Sequence, residues 1–208
     1  ITSICISLIY LDYPYAFSKM TQLNILLIGS ALIFFLGFLD DIFNLSTFLR
    51  LFIQFLIAFY IFLKGISIQS IDLSLFLNNS SDYQLPIILS LILTSFWIVG
   101  IMNSFNWMDG LDGLLAGAGI IFSLGLCFYN YIQGNIVGII LSFSLLGSLI
   151  SFLFFNFKPA KIYMGDCGSN FIGFIISVLT ISSFSYSDNQ FLLASQSFSK
   201  TNLFVGIV

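Results

Sequence analysis

The segment Asn103-Ser-Phe-Asn-Trp-Met-Asp-Gly-Leu-Asp-Gly113 interrupts a chain of apolar segments with a polar side chain at every third position. On a tight helical turn, this period lines the side chains along one face. Asn, Asp and Gly also form ordinary helix caps and turns, but a carboxylate beside a long apolar segment is costly to hold. The stripe, Asn103, Asn106, Asp109 and Asp112, therefore favours a functional site for a metal ion and a polar substrate.

The composition indicates a membrane protein, because 59% of the 208 residues are hydrophobic, 18% are aromatic and only 7% are charged. That is too little charge for the surface of a soluble domain. The apolar runs lack the alternation of barrel strands. We therefore expect an all-α fold, a polytopic transmembrane helical bundle of about seven to eight spans. A net charge of −3 does not suggest nucleic-acid binding, and the three cysteines lack the spacing of a disulfide framework or a zinc site.

The predicted spans place the polar motifs on one side of the membrane. The loops at Asp40, Asn103 and Asn156 are separated by two crossings each, so they share a side. We expect the acids of these loops to converge around one cleft, with Gly and Ser at the contacts between helices. Basic residues balance across the two sides, so the positive-inside rule sets no orientation. The predicted spans are Ile1–Leu11, Leu23–Leu39, Phe48–Leu63, Leu85–Met102, Leu114–Ile132, Ile136–Phe155, Asn170–Phe184 and a span from Asn202, with polar loops at 64–84 and 185–200.

Adjacent carboxylates at Asp40 and Asp41 form a second motif. They repel each other, so they favour a divalent cation, a basic partner or a shared proton. Arg50 is a candidate for the basic partner. The alternative is a helix end with two solvated acids.

The third motif, Met164-Gly-Asp-Cys-Gly-Ser169, places Asp166 near two glycines, where the backbone can approach a phosphate closely. Ser169 is predicted to begin a helix whose N-terminus favours an anion. Lys158 and Lys161 add positive charge nearby. An oxygen-lined site of this kind suits Mg²⁺, or alternatively Mn²⁺, bound together with substrate phosphates.

These three segments resemble those of the polyprenyl-phosphate N-acetylhexosamine-1-phosphate transferases, the glycosyltransferase family 4 type that includes undecaprenyl-phosphate GlcNAc-1-phosphate transferases and phospho-N-acetylmuramoyl-pentapeptide transferases. The matching stretches are 37–46 with Arg50 and Gln54, 103–117, and 156–169. Cys167 stands where the family usually has Ser or Thr. The family's upstream glycine-rich motif and its downstream histidine-bearing loop have no counterpart here. Because the sequence begins at Ile1 and ends at Val208 inside apolar runs, we expect one integral-membrane transferase domain, residues 1–208, truncated at both ends.

The resemblance implies transfer of a sugar 1-phosphate from a UDP-sugar to a polyprenyl phosphate, which gives a polyprenyl-diphosphate sugar and UMP in cell-wall or surface-polysaccharide synthesis. It implies Mg²⁺ as the cofactor. The partners are the UDP-sugar donor, the polyprenyl-phosphate acceptor and membrane lipid, and a homodimer is compatible with the family. The expected location is the bacterial inner (plasma) membrane, with the active site facing the cytoplasm.

The resemblance also carries roles to individual residues. Asp40 and Asp41 are expected to position or deprotonate the lipid phosphate, and Asp109 and Asp112 to line the nucleotide-sugar pocket, with Asp112 at the uracil. A one-step displacement and a covalent two-step route would use the paired acids differently. Catalytic roles fall on Asp40, Asp41, Asp109 and Asp166; substrate binding on Asn103, Asn106, Asp112, Arg50, Gly165 and Ser169; and Mg²⁺ binding on Asp166 and Asn106.

Two other classes of protein use intramembrane acids. An ion-coupled secondary transporter would place polar groups near the centres of its spans, whereas the acids here are predicted at span ends. An intramembrane aspartyl protease has a Gly-x-Gly-Asp site, but Tyr163 replaces the first glycine of that pattern. The protease would also leave the stripe from Asn103 to Asp112 unexplained.

Overall fold

The computed structural model describes residues 13–72 and 82–205, and the side chains of residues 23–71 and 83–185. This part of the chain contains six helices and one two-stranded antiparallel sheet. The helices are α1 (Tyr13–Phe43), α2 (Thr47–Leu63), α3 (Ile87–Met108), α4 (Leu114–Ile132), α5 (Ile136–Asn156) and α6 (Gly165–Val205), and the strands are β1 (Ser70–Asp72) and β2 (Asp82–Gln84). The all-α class predicted from the sequence is confirmed.

The number of spans is lower than predicted. Five helical stretches of the described residues are long and apolar enough to cross a membrane, against the seven to eight expected. The predicted span Ile1–Leu11 lies outside the described residues, and α2 has 17 residues, fewer than the other apolar helices. The five stretches are Leu23–Phe43, Ile87–Met108, Leu114–Ile132, Ile136–Asn156 and Gly165–Ser185.

The serine-rich stretch that was predicted to be a loop continues α6, which runs unbroken from Gly165 to Val205. Serine and threonine hydroxyls within a helix can bond to carbonyls one turn back and so remain satisfied there. Ser177, Thr180 and Ser182 donate in this way to Phe174, Ser177 and Leu179. The loop predicted at 185–200 is wrong, because these residues are helical, and residues 202–205, where a further span was predicted to begin, belong to the same helix.

Helix α6 is the central helix of the bundle. Of the most apolar stretch of α6, 61% is buried inside the bundle, against 44% or less in the other four spans. It packs against α1 and α3 and also contacts α4, while α4 and α5 pair as a hairpin. Two apolar clusters hold these helices together, one around Phe174 and Ile98 and the other around Ile176 and Leu149.

Glycine allows α6 to approach both main neighbours closely. A Cβ atom on Gly37 of α1 would overlap the backbone of Cys167. A Cβ atom on Gly173 of α6 would lie 2.7 Å from the Cα atom of Met102 in α3. Small residues permit such crossings in membrane bundles, and the predicted use of glycine at helix contacts is confirmed.

The polar stretch 64–84, predicted to be a loop, contains the sheet at the far end of the bundle from the motifs. Ile71 pairs with Tyr83 in the antiparallel register of β1 and β2. At the other end, hydrogen bonds join the last turn of α1, the start of α2, the segment after α3 and the start of α6. The prediction that the three motif loops share a side is therefore confirmed.

Candidate active site

The acidic motifs meet at the first turn of α6. The first N–H groups of any helix lack partners within that helix, and the helix dipole favours negative charge beside them. Here the N–H of Gly165 donates to Asp109 Oδ2 at 3.2 Å, and the N–H groups of Asp166 and Cys167 donate to the two carboxylate oxygens of Asp41 at 2.9 and 3.2 Å. Carboxylates from two distant segments thus cap α6.

This arrangement corrects the predicted start of the helix. Helix α6 begins at Gly165, whose φ of +72° favours glycine, and not at Ser169. Ser169 is fully buried in the next turn, where its Oγ accepts a hydrogen bond from Asn106 Nδ2 at 3.0 Å. It therefore packs within the bundle and does not face a phosphate from the helix end.

Asp166 lies at the centre of a charged network. Its Oδ1 accepts a hydrogen bond from Asn106 Nδ2 at 2.7 Å, and its Oδ2 accepts one from Arg50 Nη1 at 3.2 Å. The same Arg50 nitrogen pairs with Asp40 Oδ2 at 2.7 Å. The guanidinium of Arg50 therefore joins the second motif, through Asp40, to the third motif, through Asp166.

Asp40 and Asp41 have different environments although they are neighbours in sequence. Asp40 is only 5% exposed, and its Oδ1 accepts the N–H of Leu45 at 2.9 Å, so it fixes the turn between α1 and α2. Asp41 is exposed at the surface of the site. Of the pair, Asp41 is the acid that an incoming substrate can contact.

The stripe from Asn103 to Asp112 does not form one tight helical turn. Asn103 and Asn106 lie in α3, which ends at Met108. Asp109 is the first residue after α3, and Asp112 lies in the following turn. Helix α4 then starts after Gly113, at a φ of +75°. The stripe is therefore part helix and part turn.

All four side chains of the stripe nevertheless reach the elements that form the site. Asn103 donates to Gln54 in α2, and Asn106 and Asp109 reach the start of α6 as described. Exposed Asp112 accepts the N–H of Ala160 at 3.1 Å, in the loop that leads to α6. Asp40, Asp109 and Asp166 therefore come together, and Asp112 lies in the turn after α3, bonded to the loop that leads to α6.

Asn156 had no role predicted from the sequence, although it opens the third stretch of the family resemblance, residues 156–169. Asn156 is 4% exposed; its Oδ1 accepts the N–H of Gly113 at 3.0 Å, and its Nδ2 donates to the carbonyl of Ile162 at 2.9 Å. It joins the turn that carries Asp112 to the loop before α6. A polar residue at the end of a long apolar run was the available signal.

The site carries excess negative charge. Burial raises the pKa of Asp109 above its ordinary value, the N–H of Gly165 opposes that rise in part, and the charges of Asp166 and Asp41 add to it. Among the described side chains, the ion pairs of this site use a single cation, Arg50. The acids around it are Asp40, Asp41, Asp109 and Asp166.

The donor atoms of the site fit a hard divalent cation. Within the described residues, no three acid or cysteine side chains form a complete metal cage. Mg²⁺ is usually bound by one or two carboxylates together with substrate phosphates and water. Asp166 offers carboxylate oxygens with a lone pair to spare, and Asn106 offers its amide oxygen, because its amide nitrogen is already engaged.

Comparison with known proteins gives a consistent result. Residues 23–184 match the model of the family described as "Glycosyl transferase family 4". A Bacillus subtilis (strain 168) protein named "Probable undecaprenyl-phosphate N-acetylglucosaminyl 1-phosphate transferase" is 36% identical over 77% of this chain and 44% of its own length. A Lactobacillus johnsonii phospho-N-acetylmuramoyl-pentapeptide-transferase is 42% identical over 41% of this chain and 27% of its own length. The chain spans about half the length of the first curated relatives that it matches.

Proposed function

Because the chain belongs to glycosyl transferase family 4, we propose that it transfers an N-acetylhexosamine 1-phosphate from a UDP-sugar to a polyprenyl phosphate. The products are a polyprenyl-diphosphate sugar and UMP. The observation that carries this proposal is the position of Asp166, which Arg50 and Asn106 bind at the start of α6. The relatives' names support the choice of substrates.

In the proposed reaction, an oxygen of the lipid phosphate attacks the phosphorus that carries the sugar. The bond from that phosphorus to the UMP oxygen breaks, and UMP leaves with the bonding electron pair. Two anionic phosphates must approach each other, so catalysis requires positioning and charge neutralisation. A bound Mg²⁺ supplies that neutralisation, and Asp166 with Asn106 would hold it.

The two members of the acid pair receive different roles in this proposal. Exposed Asp41 faces the lipid phosphate and positions or deprotonates that phosphate. Buried Asp40 holds Arg50 through the 2.7 Å ion pair, so that the guanidinium stays directed at the phosphoryl groups. If the reaction is covalent and proceeds in two steps, Asp41 is the accessible nucleophile.

The nucleotide part of the donor is assigned to the turn after α3. Asp109 and Asp112 line this side, with exposed Asp112 at the uracil. Asn156 keeps the turn in place through its bond to Gly113. Lys158 and Lys161 are exposed in the adjoining loop and add positive charge for the donor diphosphate.

The chain is an integral membrane protein, with a site at one end of its helices. A charged UDP-sugar must reach this end from water, and we propose that this water is that of the cytoplasm, in a bacterial inner membrane. The contacts that join the assigned residues lie within one chain, and a homodimer is compatible with that arrangement. The product class places the reaction in the synthesis of cell wall or surface polysaccharide.

The transporter alternative is less well supported. It requires ionisable groups near the centres of spans, whereas the Asp residues whose side chains are described lie at helix ends or in turns. The experiment that separates the two classes is release of UMP by the full-length protein in detergent, with undecaprenyl phosphate and Mg²⁺.

The donor panel is UDP-N-acetylglucosamine, UDP-N-acetylgalactosamine and UDP-N-acetylmuramoyl pentapeptide, with EDTA as the metal control. We expect UMP release from one donor and its loss in EDTA. Absence of UMP with every donor would contradict the proposal.

A further inference from the structure

Gln54 is a buried amide that the reaction described above does not use. It lies in α2 with no exposed surface, among residues that are otherwise mostly apolar. A primary amide placed there is costly unless its donors and acceptors are satisfied. Its Oε1 accepts a hydrogen bond from Asn103 Nδ2 at 2.8 Å, and its Nε2 donates to Asn170 Oδ1 at 3.1 Å.

These bonds form a chain of amides that ends at the first turn of α6. Asn170 Nδ2 donates to the main-chain carbonyl of Asp166 at 2.7 Å. Asn103, Gln54 and Asn170 come from three different helices, α3, α2 and α6. Each amide nitrogen donates to the next oxygen, so the series of amides has one direction, and none of its three side chains has a buried nitrogen or oxygen without a partner.

The series of amides lies one helical turn below the ion pair of Arg50 and Asp166. Arg50 and Gln54 are four residues apart on α2, and Asp166 and Asn170 are four residues apart on α6, so each pair shares a helix face. Arg50 reaches Asp166, and Gln54 reaches Asn170. The same two helices are thus joined by a charged link near the surface and a neutral link beneath it.

Backbone packing does little to fix α2 against α6, since α2 packs mainly against α3 and α1. The long side chains of Arg50 and Gln54 span the gap. Without the neutral link, Arg50 alone would join α2 to the first turn of α6 through a side-chain hydrogen bond, and that turn could shift relative to α2. The carboxylate of Asp166 would then lose its alignment with Arg50 and Asn106.

We propose that Gln54 is a positioning residue, whose bonds to Asn103 and Asn170 hold the first turn of α6 and so aim the carboxylate of Asp166. This inference rests on the proposed function, because the orientation of the Asp166 carboxylate matters for binding of the proposed Mg²⁺ and the substrate phosphates. Gln54 itself touches no reacting atom.

The test uses the full-length protein and two variants. Gln54→Met keeps a similar volume and removes both bonds, and Gln54→Glu keeps the acceptor for Asn103 and loses the donor to Asn170. The matched control is Asn130→Leu at the opposite end of the bundle. Asn130 is likewise fully buried, and its Nδ2 donates to Ser183 Oγ at 2.9 Å.

Two measurements distinguish an effect on the orientation of Asp166 from an effect on the overall stability of the protein. The first is the Mg²⁺ concentration that half-saturates UMP release, together with kcat. The second is the rate at which a small maleimide alkylates Cys167, half-buried beside Asp166, measured by mass spectrometry of its peptide. Alkylation follows local opening of the first turn of α6 and needs no turnover.

We expect Gln54→Met to lower kcat by about tenfold to a hundredfold, to raise the Mg²⁺ requirement severalfold and to speed alkylation of Cys167. Gln54→Glu should change each in the same direction, because a carboxylate oxygen then faces Asn170 Oδ1 in a fully buried site. Asn130→Leu should lower the melting temperature and leave the Mg²⁺ requirement and the Cys167 rate as in wild type.

Wild-type values for either Gln54 variant, or the same changes in Asn130→Leu, would overturn the proposal. Failure of both Gln54 variants to fold would also overturn it, because Gln54 would then serve folding and not aim. Wild-type protein that releases no UMP refutes the proposed function alone, and the alkylation rates still decide the role of Gln54.

Discussion

Gly37 of α1 lies directly against Cys167 of α6, so closely that a Cβ atom on Gly37 would overlap the Cα atom of Cys167 and lie 2.7 Å from the carbonyl oxygen of Asp166. One turn further along α1, Asp41 accepts the N–H groups of Asp166 and Cys167. The close crossing therefore brings the exposed acid of α1 to the start of α6. The site depends on the absence of a side chain at position 37.

Gly37→Ala should separate α1 from α6 and draw Asp41 away from the helix start. The atoms it meets belong to backbone and cannot yield, and overpacking of this kind typically costs about 1–3 kcal/mol. We expect a lower melting temperature and UMP release reduced at least about tenfold, since small displacements at a reacting centre are costly. Gly100→Ala is the control, because nothing lies within 4 Å of its added Cβ atom. Equal activity in the two variants would show that the crossing does not position Asp41.

Asp166→Asn should abolish turnover while the protein still folds. The asparagine keeps an oxygen for Asn106, but it has no charge for a metal and turns an amide nitrogen toward Arg50. Loss of a group that stabilises the charge of a transition state costs about 10²–10³ in rate. The measurement is UMP release over a range of Mg²⁺ concentrations, with the melting temperature as the control for folding. Activity near wild type would mean that another residue holds the ion.

Asp109→Asn should increase stability at neutral pH. Burial raises the pKa of Asp109 above its ordinary value of 3.8, so the folded protein binds this proton more tightly than the unfolded chain does. The contribution of Asp109 to the stability of the folded protein is therefore complete below pH 3.8, and it is lost as the pH rises through the pKa of Asp109 in the folded state. The asparagine keeps an acceptor for Gly165 and is neutral throughout, so the variant should melt above wild type at pH 7, and the difference should shrink toward pH 4.

Melting curves for the Asp109 test are compared in EDTA from pH 4 to pH 8. Asp112→Asn provides the control, because that carboxylate is exposed and its change of charge should alter the melting temperature little. A wild-type protein that melts higher than Asp109→Asn at pH 7 would show that the negative charge of Asp109 is favourable in the folded state.

Much of this fold follows from sequence because the bilayer limits the choices. Apolar runs of helical length must cross the membrane, and counting crossings places the loops at Asp40, Asn103 and Asn156 on one side. The acids of these loops are thereby brought together without any knowledge of side-chain positions. The placement of the loops requires only that two helices run between successive motifs, as α2 and α3 do before the stripe and α4 and α5 do after it, and not that the total number of spans be right.

The starts of helices and the roles of neighbouring residues were harder to predict. Helix α6 begins at Gly165 because Asp41 and Asp109 cap it from distant parts of the chain, so its own sequence carries no complete cap signal. Asp40 and Asp41 point about 100° apart around α1. Only the packed bundle shows that Asp40 faces the turn before α2, whereas Asp41 faces α6.

Arg50 holds two carboxylates that come from different motifs, and both partners of its shorter ion pair are largely buried. The side chain of Arg50 is 17% exposed and that of Asp40 is 5% exposed. Removing one partner of a buried pair leaves the other charge uncompensated, which typically costs about 3–5 kcal/mol. A cycle of single and double variants can therefore test whether Asp40 acts through Arg50.

Arg50→Met should lower the melting temperature and abolish turnover, because it leaves Asp40 unpaired and removes the cation from Asp166. Asp40→Asn should also destabilise the protein, since Arg50 then lacks its 2.7 Å partner. The double variant should lose less than the sum of the single variants, with a coupling of about 0.5–3 kcal/mol for groups in direct contact. Arg50→Lys should recover stability but little activity, because an ammonium on a flexible stem does not reproduce the planar guanidinium. The measurements are chemical unfolding in detergent and UMP release. Strict additivity would show that the two residues act independently, and a fully active Arg50→Lys would show that any positive charge at this position is sufficient.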